Sequence, residues 1–155
     1  MPAATLMRTG KDGPEPVPLG PKLKDRKVII VGLPGAFTGT CSSAHVPSFI
    51  RTKPQFDALG IDEIIIFSVN DPQVVRAWGF ESGATAAGLT LLADPESKLT
   101  MALGMRFDAP EAGLVGRCAR HVIYAENGVV KILNVEASRG VCELTAGESL
   151  LEQLT

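Results

Sequence analysis

Lys27-Val28-Ile29-Ile30-Val31-Gly32-Leu33-Pro34-Gly35-Ala36-Phe37-Thr38-Gly39-Thr40-Cys41 begins as an apolar, β-branched run and ends in a loop of small residues. A run of this kind, closed by Gly-Leu-Pro-Gly, predicts a buried strand that feeds a loop. Residues 42–59 carry Val46, Phe49, Ile50 and Phe56 at helical spacing, with Pro47 and Pro54 expected to kink or divide the helix. Strand follows at 61–69, helix at 73–80, a short strand at 89–92, and a helix over 95–103 stopped at Gly104. Residues 120–124 and 129–135 flank Asn127-Gly128, a dipeptide suited to the positive φ angles of a tight hairpin, so these two strands are expected to be antiparallel. A helix over 146–154 closes the chain. Upstream, 10–21 is rich in glycine and proline and reads as an ordered loop or arm.

Strand and helix alternate and end in a hairpin, which implies an α/β fold with a mixed central sheet and helices on both faces, the thioredoxin-like arrangement. At 155 residues the chain suits a single domain, 1–155. A net charge of -2 gives no basic field for nucleic acid or an anionic membrane. No apolar stretch approaches the roughly 20 residues of a membrane helix, and the start lacks a secretory pattern. The expectation is a soluble intracellular protein, cytoplasmic or organellar, the mitochondrion included. Three cysteines, Cys41, Cys118 and Cys142, are too few and too unevenly spaced for a disulfide framework. Chemistry is the better use for at least one of them, although a free cysteine is commonly just a small buried hydrophobe.

Cys41 lies where the buried strand passes into a helix, beyond the carboxyl end of the strand, where open α/β sheets place ligands. A cysteine in the first turn of a helix faces unpaired backbone N–H groups and the positive end of the helix dipole, which favour thiolate over thiol. Thr38 can set a hydroxyl beside the sulfur, and Thr40 competes with it for that role. Either could instead be a helix N-cap. Pro34 stiffens the loop before the thiol, and Pro47 bends the helix behind it.

Pro34, Thr38 and Cys41 in PGAFTGTC match the peroxiredoxin pattern of Pro, three residues, Thr, two residues, Cys. The surrounding VGLPGAFTGTCSSAHVPSF resembles peroxiredoxin five and the type II peroxiredoxins. The similarity runs on through FSVNDPQVVRAWG at 67–79, LADPESKLTMALG at 92–104 and ILNVE at 132–136. This resemblance implies a thiol-dependent peroxidase with Cys41 as the attacking cysteine, Thr38 binding peroxide, Pro34 shielding the thiol and Arg117, in GRCARH, as the active-site arginine. Arg120 matches a second family arginine. A regular strand would point residues 117 and 120 to opposite faces, so spacing gives them different roles. Backbone N–H groups of Thr40 and Cys41 would complete a polar cradle for the breaking O–O bond, and no cofactor, metal or flavin is required.

The resemblance also implies that Cys142 resolves the Cys41 sulfenic acid, whereas Cys118, by its apolar neighbours in a strand, is read as a packed core thiol. A single-cysteine cycle using an external thiol is the rival. Implied partners are hydrogen peroxide and small alkyl hydroperoxides, with thioredoxin, or glutaredoxin or glutathione, as reductant. A noncovalent homodimer is also implied, to which Phe37, Trp78 and Phe80 could lend apolar surface. No CxxC motif is present, which argues against a disulfide oxidoreductase. Two other classes remain: a thiol redox sensor, and a metal module built on Cys41/His45 and Cys118/His121. The strand geometry expected at 118 and 121 projects those two side chains oppositely and disfavours the metal module. His45 is read as packing or hydrogen bonding behind Cys41.

Overall fold

In the computed structural model, which describes residues 1–155, the run at 27–32 is an interior strand of a seven-stranded sheet. The sheet comprises β1 (Thr5–Gly10), β2 (Gly13–Pro18), β3 (Lys27–Gly32), β4 (Glu63–Ser68), β5 (Thr90–Ala93), β8 (His121–Glu126) and β9 (Val129–Val135), in the spatial order β2-β1-β5-β4-β3-β8-β9. β3 pairs parallel with β4 and antiparallel with β8, so the sheet is mixed. A separate hairpin pairs β6 (Arg106–Ala109) with β7 (Leu114–Cys118).

Side-chain alternation along the central strands decides which helix covers which face. Ile29, Val31, Ile64 and Ile66 pack with Phe49 and Phe56 of α2 (Val46–Ala58), Trp78 of α3 (Pro72–Glu81) and Leu150 of α5 (Gly147–Leu154). Val28, Ile30, Ile65 and Phe67 pack on the other face with Leu19 and Leu23 of α1 (Leu19–Leu23) and Leu99 of α4 (Lys98–Ala102). Both faces of the sheet are therefore covered, as the thioredoxin-like reading requires. No helix is long and apolar enough to cross a membrane.

The Asn127-Gly128 turn has φ of 48° and 75° at its two residues and joins β8 to β9 as an antiparallel pair. Three expectations need correction. Residues 10–21 are not an arm: they complete the β1–β2 hairpin and begin α1. Pro14, Pro16 and Pro18 alternate along β2, which lies at the edge of the sheet, where proline's missing N–H costs no ladder bond. The helix expected over 95–103 shortens to Lys98–Ala102, because Ser97 adopts the left-handed conformation and the buried Asp94 carboxyl accepts from the Leu99 and Thr100 amides. Pro47 and Pro54 do not divide the long helix. It begins at Gly39, widens into a π-turn over Cys41–His45, where Val46 N donates to Cys41 O, and carries Pro54 inside α2. The wider turn accommodates the N–H that Pro47 lacks.

Candidate active site

The carboxyl end of β3 delivers a loop pinned at several points. Leu33 N donates to Phe67 O at 3.4 Å, and Ala36 N donates to Asn70 Oδ1 at 2.9 Å. Phe37 takes a left-handed φ of 61° and leaves its ring exposed. Thr38 donates its hydroxyl to Gly35 O at 2.7 Å, and Ser42 N donates to Thr38 O at 3.0 Å. Neither threonine caps the helix with its side chain. The Thr38 proton is committed within the loop, which leaves its oxygen lone pairs free to accept, and Thr40 donates instead to Gly140 O at 3.3 Å. Cys41 follows in the first turn of the helix, fully buried.

The guanidinium beside the sulfur belongs to Arg120, where the sequence reading had placed Arg117. Arg120 Nη2 lies 3.2 Å from Cys41 Sγ and 2.9 Å from Arg139 O, and Nη1 donates to His45 Nδ1 at 2.9 Å. Arg117 Nη1 instead donates to Pro34 O at 2.9 Å, and a Cβ at residue 35 would overlap that same nitrogen. Arg117 therefore braces the loop that holds Thr38. The two arginines take different roles, as expected, but not by pointing to opposite faces, because the strand is not continuous. β7 ends at Cys118, β8 begins at His121, and between them Ala119 N carries the β6–β7 pairing one residue further, donating to Met105 O at 2.7 Å. The break brings both arginines onto residues 34–41. It also brings Cys118 Sγ to 3.7 Å from His121 Nδ1, correcting the expectation that these two side chains point apart.

A guanidinium can only donate, so His45 Nδ1 must be the acceptor and its Nε2 carries the hydrogen given to Thr145 O at 2.9 Å. Burial, reinforced by the Arg120 charge, lowers the His45 pKa to about 3. The imidazole is therefore neutral and sits behind the sulfur, in the hydrogen-bonding role anticipated for it. Arg120 is almost completely buried, its Nε has no hydrogen-bond partner, and no carboxylate is among its hydrogen-bond partners. Such a buried cation calls for an anion nearby.

The other thiols differ sharply. Cys118 packs in the core on the face of the sheet opposite to Cys41, and burial pushes its thiol up to about 12. Cys142 is half-buried in the segment between β9 and α5, and burial raises its thiol too. Trp78 is core, donating from Nε1 to Ser42 Oγ at 3.0 Å, whereas Phe37 and Phe80 stay exposed. Beside Arg120 opens a cavity of about 330 Å3, walled by Phe107, Ala109, Ala119, Ala137 and Arg139. A larger groove near the N-terminus, bordered by Met1, Pro18, Lys24 and Glu96, contains no cysteine.

The Redoxin family profile matches residues 1–150. Peroxiredoxin-2C of Arabidopsis thaliana is 41% identical over 129 residues, spanning 83% of this chain and 78% of that one. Mitochondrial Peroxiredoxin-2F of the same plant is 40% identical over 137 residues, spanning 88% and 68%. The chain belongs to the type II peroxiredoxins. Among solved structures, reduced Prx3 of Vibrio vulnificus in complex with H2O2 superposes on this peroxiredoxin with a TM-score of 0.90 at 39% identity, covering 99% of this chain and 95% of that one. Thiol peroxidase chemistry is the activity of this family, and the thioredoxin-like fold of this peroxiredoxin is the family's own.

Proposed function

We propose that the protein reduces hydrogen peroxide and small alkyl hydroperoxides at Cys41, that Cys142 resolves the product, and that thioredoxin recycles the enzyme. The observation that carries this reading is Arg120, a buried guanidinium with Nη2 3.2 Å from Cys41 Sγ and no carboxylate among its partners. The anion that best satisfies it is the thiolate itself, which is the nucleophile of the reaction.

The thiolate attacks one peroxide oxygen. A sulfur–oxygen bond forms, the O–O bond breaks, and the departing oxide takes a proton to leave as water or an alcohol. Arg120 stabilises the charge that develops on the breaking bond. Thr38, with its own proton given to Gly35 O, accepts from the peroxide O–H and orients it. Pro34 and Arg117 hold the loop that presents Thr38. Sulfur, oxidised by two electrons to the sulfenic acid, is then attacked by the Cys142 thiolate, which releases water and leaves a disulfide for the reductant. Glutaredoxin or glutathione is the alternative reductant, and exposed Phe37 and Phe80 support a noncovalent homodimer.

Peroxide turnover with thioredoxin tests the reading. Cys41→Ser is expected to abolish it, and Cys142→Ser to permit a single oxidation without turnover. Activity retained in Cys41→Ser would overturn the mechanism. Full turnover in Cys142→Ser would hand resolution to an external thiol.

A further inference from the structure

The steps above make no use of Glu136, whose side chain is buried just beyond β9. One of its oxygens, Oε1, accepts from Glu143 N at 2.7 Å, Thr145 N at 2.8 Å and Thr145 Oγ1 at 2.9 Å. All three donors lie at the far end of residues 137–145, a loop without helix or strand, so the carboxyl closes this loop onto its own root. The root is itself tied to the site, since Glu136 N donates to Arg120 O at 3.0 Å.

The closed loop supplies two acceptors to the chemistry. Arg139 O takes the same Arg120 Nη2 that faces the sulfur. Thr145 O takes His45 Nε2, and the other nitrogen of that ring holds Arg120 Nη1. Of the three partners of the guanidinium, one is the sulfur, one belongs to the loop, and one is a histidine held by the loop. We propose that Glu136 is a positioning residue for peroxide reduction: by clamping the 137–145 loop shut, it fixes the acceptors that aim Arg120 at Cys41.

An irregular loop gains conformational freedom when its closing contacts are removed, and carbonyls on it cease to be fixed points. Without the clamp, Arg120 keeps the sulfur as a partner but loses the two constraints on its direction. Because all three bonds fall on Oε1, the role belongs to a well-placed acceptor oxygen more than to the charge. Glutamine keeps that oxygen in place. Aspartate keeps the charge but is one methylene too short to reach.

The inference rests on the peroxidase reading of Cys41 and not on Cys142 as resolver, so the test is made in the full chain carrying Cys142→Ser. Two quantities are measured: the rate of Cys41 sulfenic acid formation with hydrogen peroxide, and amide exchange at residues 143 and 145. Glu136→Ala and Glu136→Asp are expected to slow oxidation about tenfold or more, and to lose protection at both amides. Glu136→Gln is expected to match the parent in both. Oxidation at the parent rate in the alanine and aspartate variants would overturn the proposal, as would a glutamine variant as slow as they are. If the alanine variant does not fold, the aspartate–glutamine contrast decides. A parent that does not react with peroxide would remove the peroxidase reading. The exchange measurement would then still decide on the clamp, which unchanged protection in Glu136→Asp refutes.

Discussion

Replacing His45 with glutamine removes an imidazole that the folded protein keeps neutral, and leaves an amide able to accept from Arg120 and donate to Thr145 O. Burial and the Arg120 charge lower the His45 pKa from 6.5 to about 3. In the unfolded chain the group titrates near the upper of these values. Below it the unfolded chain binds a proton that the native state refuses, so stability must fall as the pH falls, and the loss ends only near the lower value. The slope inside that window is about 1.4 kcal/mol per pH unit, which makes the cost of moving from about pH 6.5 to about pH 5 roughly 2 kcal/mol for this one ring. His121, also lowered by burial, contributes with the same sign and is unchanged by the substitution. Urea unfolding of wild type and His45→Gln at about pH 7 and about pH 5 isolates the His45 share. The wild type is expected to lose about 2 kcal/mol more than the variant between the two conditions. Equal losses would refute the neutral, hydrogen-bonded histidine, and with it the assignment of Nδ1 as the acceptor for Arg120.

Arg120→Met is expected to slow oxidation of Cys41 by hydrogen peroxide by about 100-fold or more in rapid-mixing experiments, because it removes the charge at the breaking bond, whereas Arg117→Met costs less than about tenfold. Equal losses would mean that bracing the loop matters as much as touching the sulfur. Cys118, pushed up to about 12 by burial, is expected to escape alkylation in the native protein at neutral pH and to react only in denaturant, counted by intact mass. Burial also raises the Cys142 thiol, so closure of the disulfide after a single peroxide pulse is expected to quicken about tenfold per pH unit across the neutral range. A flat profile would argue against Cys142 as the attacking group.

Features encoded locally were legible in the sequence. The β-branched run at 27–32 reads as a central strand because both of its faces are buried, and Asn127-Gly128 reads as a turn because both residues need positive φ. Cys41 at the strand–helix junction, with Thr38 three residues before it, needed only the chain's own order. The β1–β2 hairpin was hidden because alternating prolines resemble loop composition until the edge position of β2 is known. The choice of Arg117 over Arg120 rested on the resemblance alone, and the folded chain reverses it because the strand breaks at Ala119, whose N–H extends the β6–β7 hairpin to Met105 O before β8 begins. Glu136 stood in the sequence only as the last residue of ILNVE, with no sign of this role, since its partners lie across a loop whose closure only the folded chain shows.

The burial of Cys41 imposes an order on the proposed cycle. A sulfur with no exposed surface is closed to a protein reductant, so the proposed cycle needs the site to open before recycling. The loop that carries Cys142 is also the loop whose Arg139 carbonyl shares Arg120 Nη2 with the sulfur. If Cys142 resolves Cys41 as proposed, any movement of that loop to join the two sulfurs acts on the Arg139 carbonyl that holds Arg120 Nη2. On the proposed cycle oxidation belongs to the closed loop seen here and resolution to an opened one, and the time a sulfenic acid waits for opening is the time in which a second peroxide can carry it to sulfinic acid. Strengthening the closed state would then speed the first oxidation and lengthen exposure to the second. Loosening it would trade peroxide reactivity for resistance to overoxidation, and the proposed Glu136 clamp, with its three donors, is the contact on which that balance would turn.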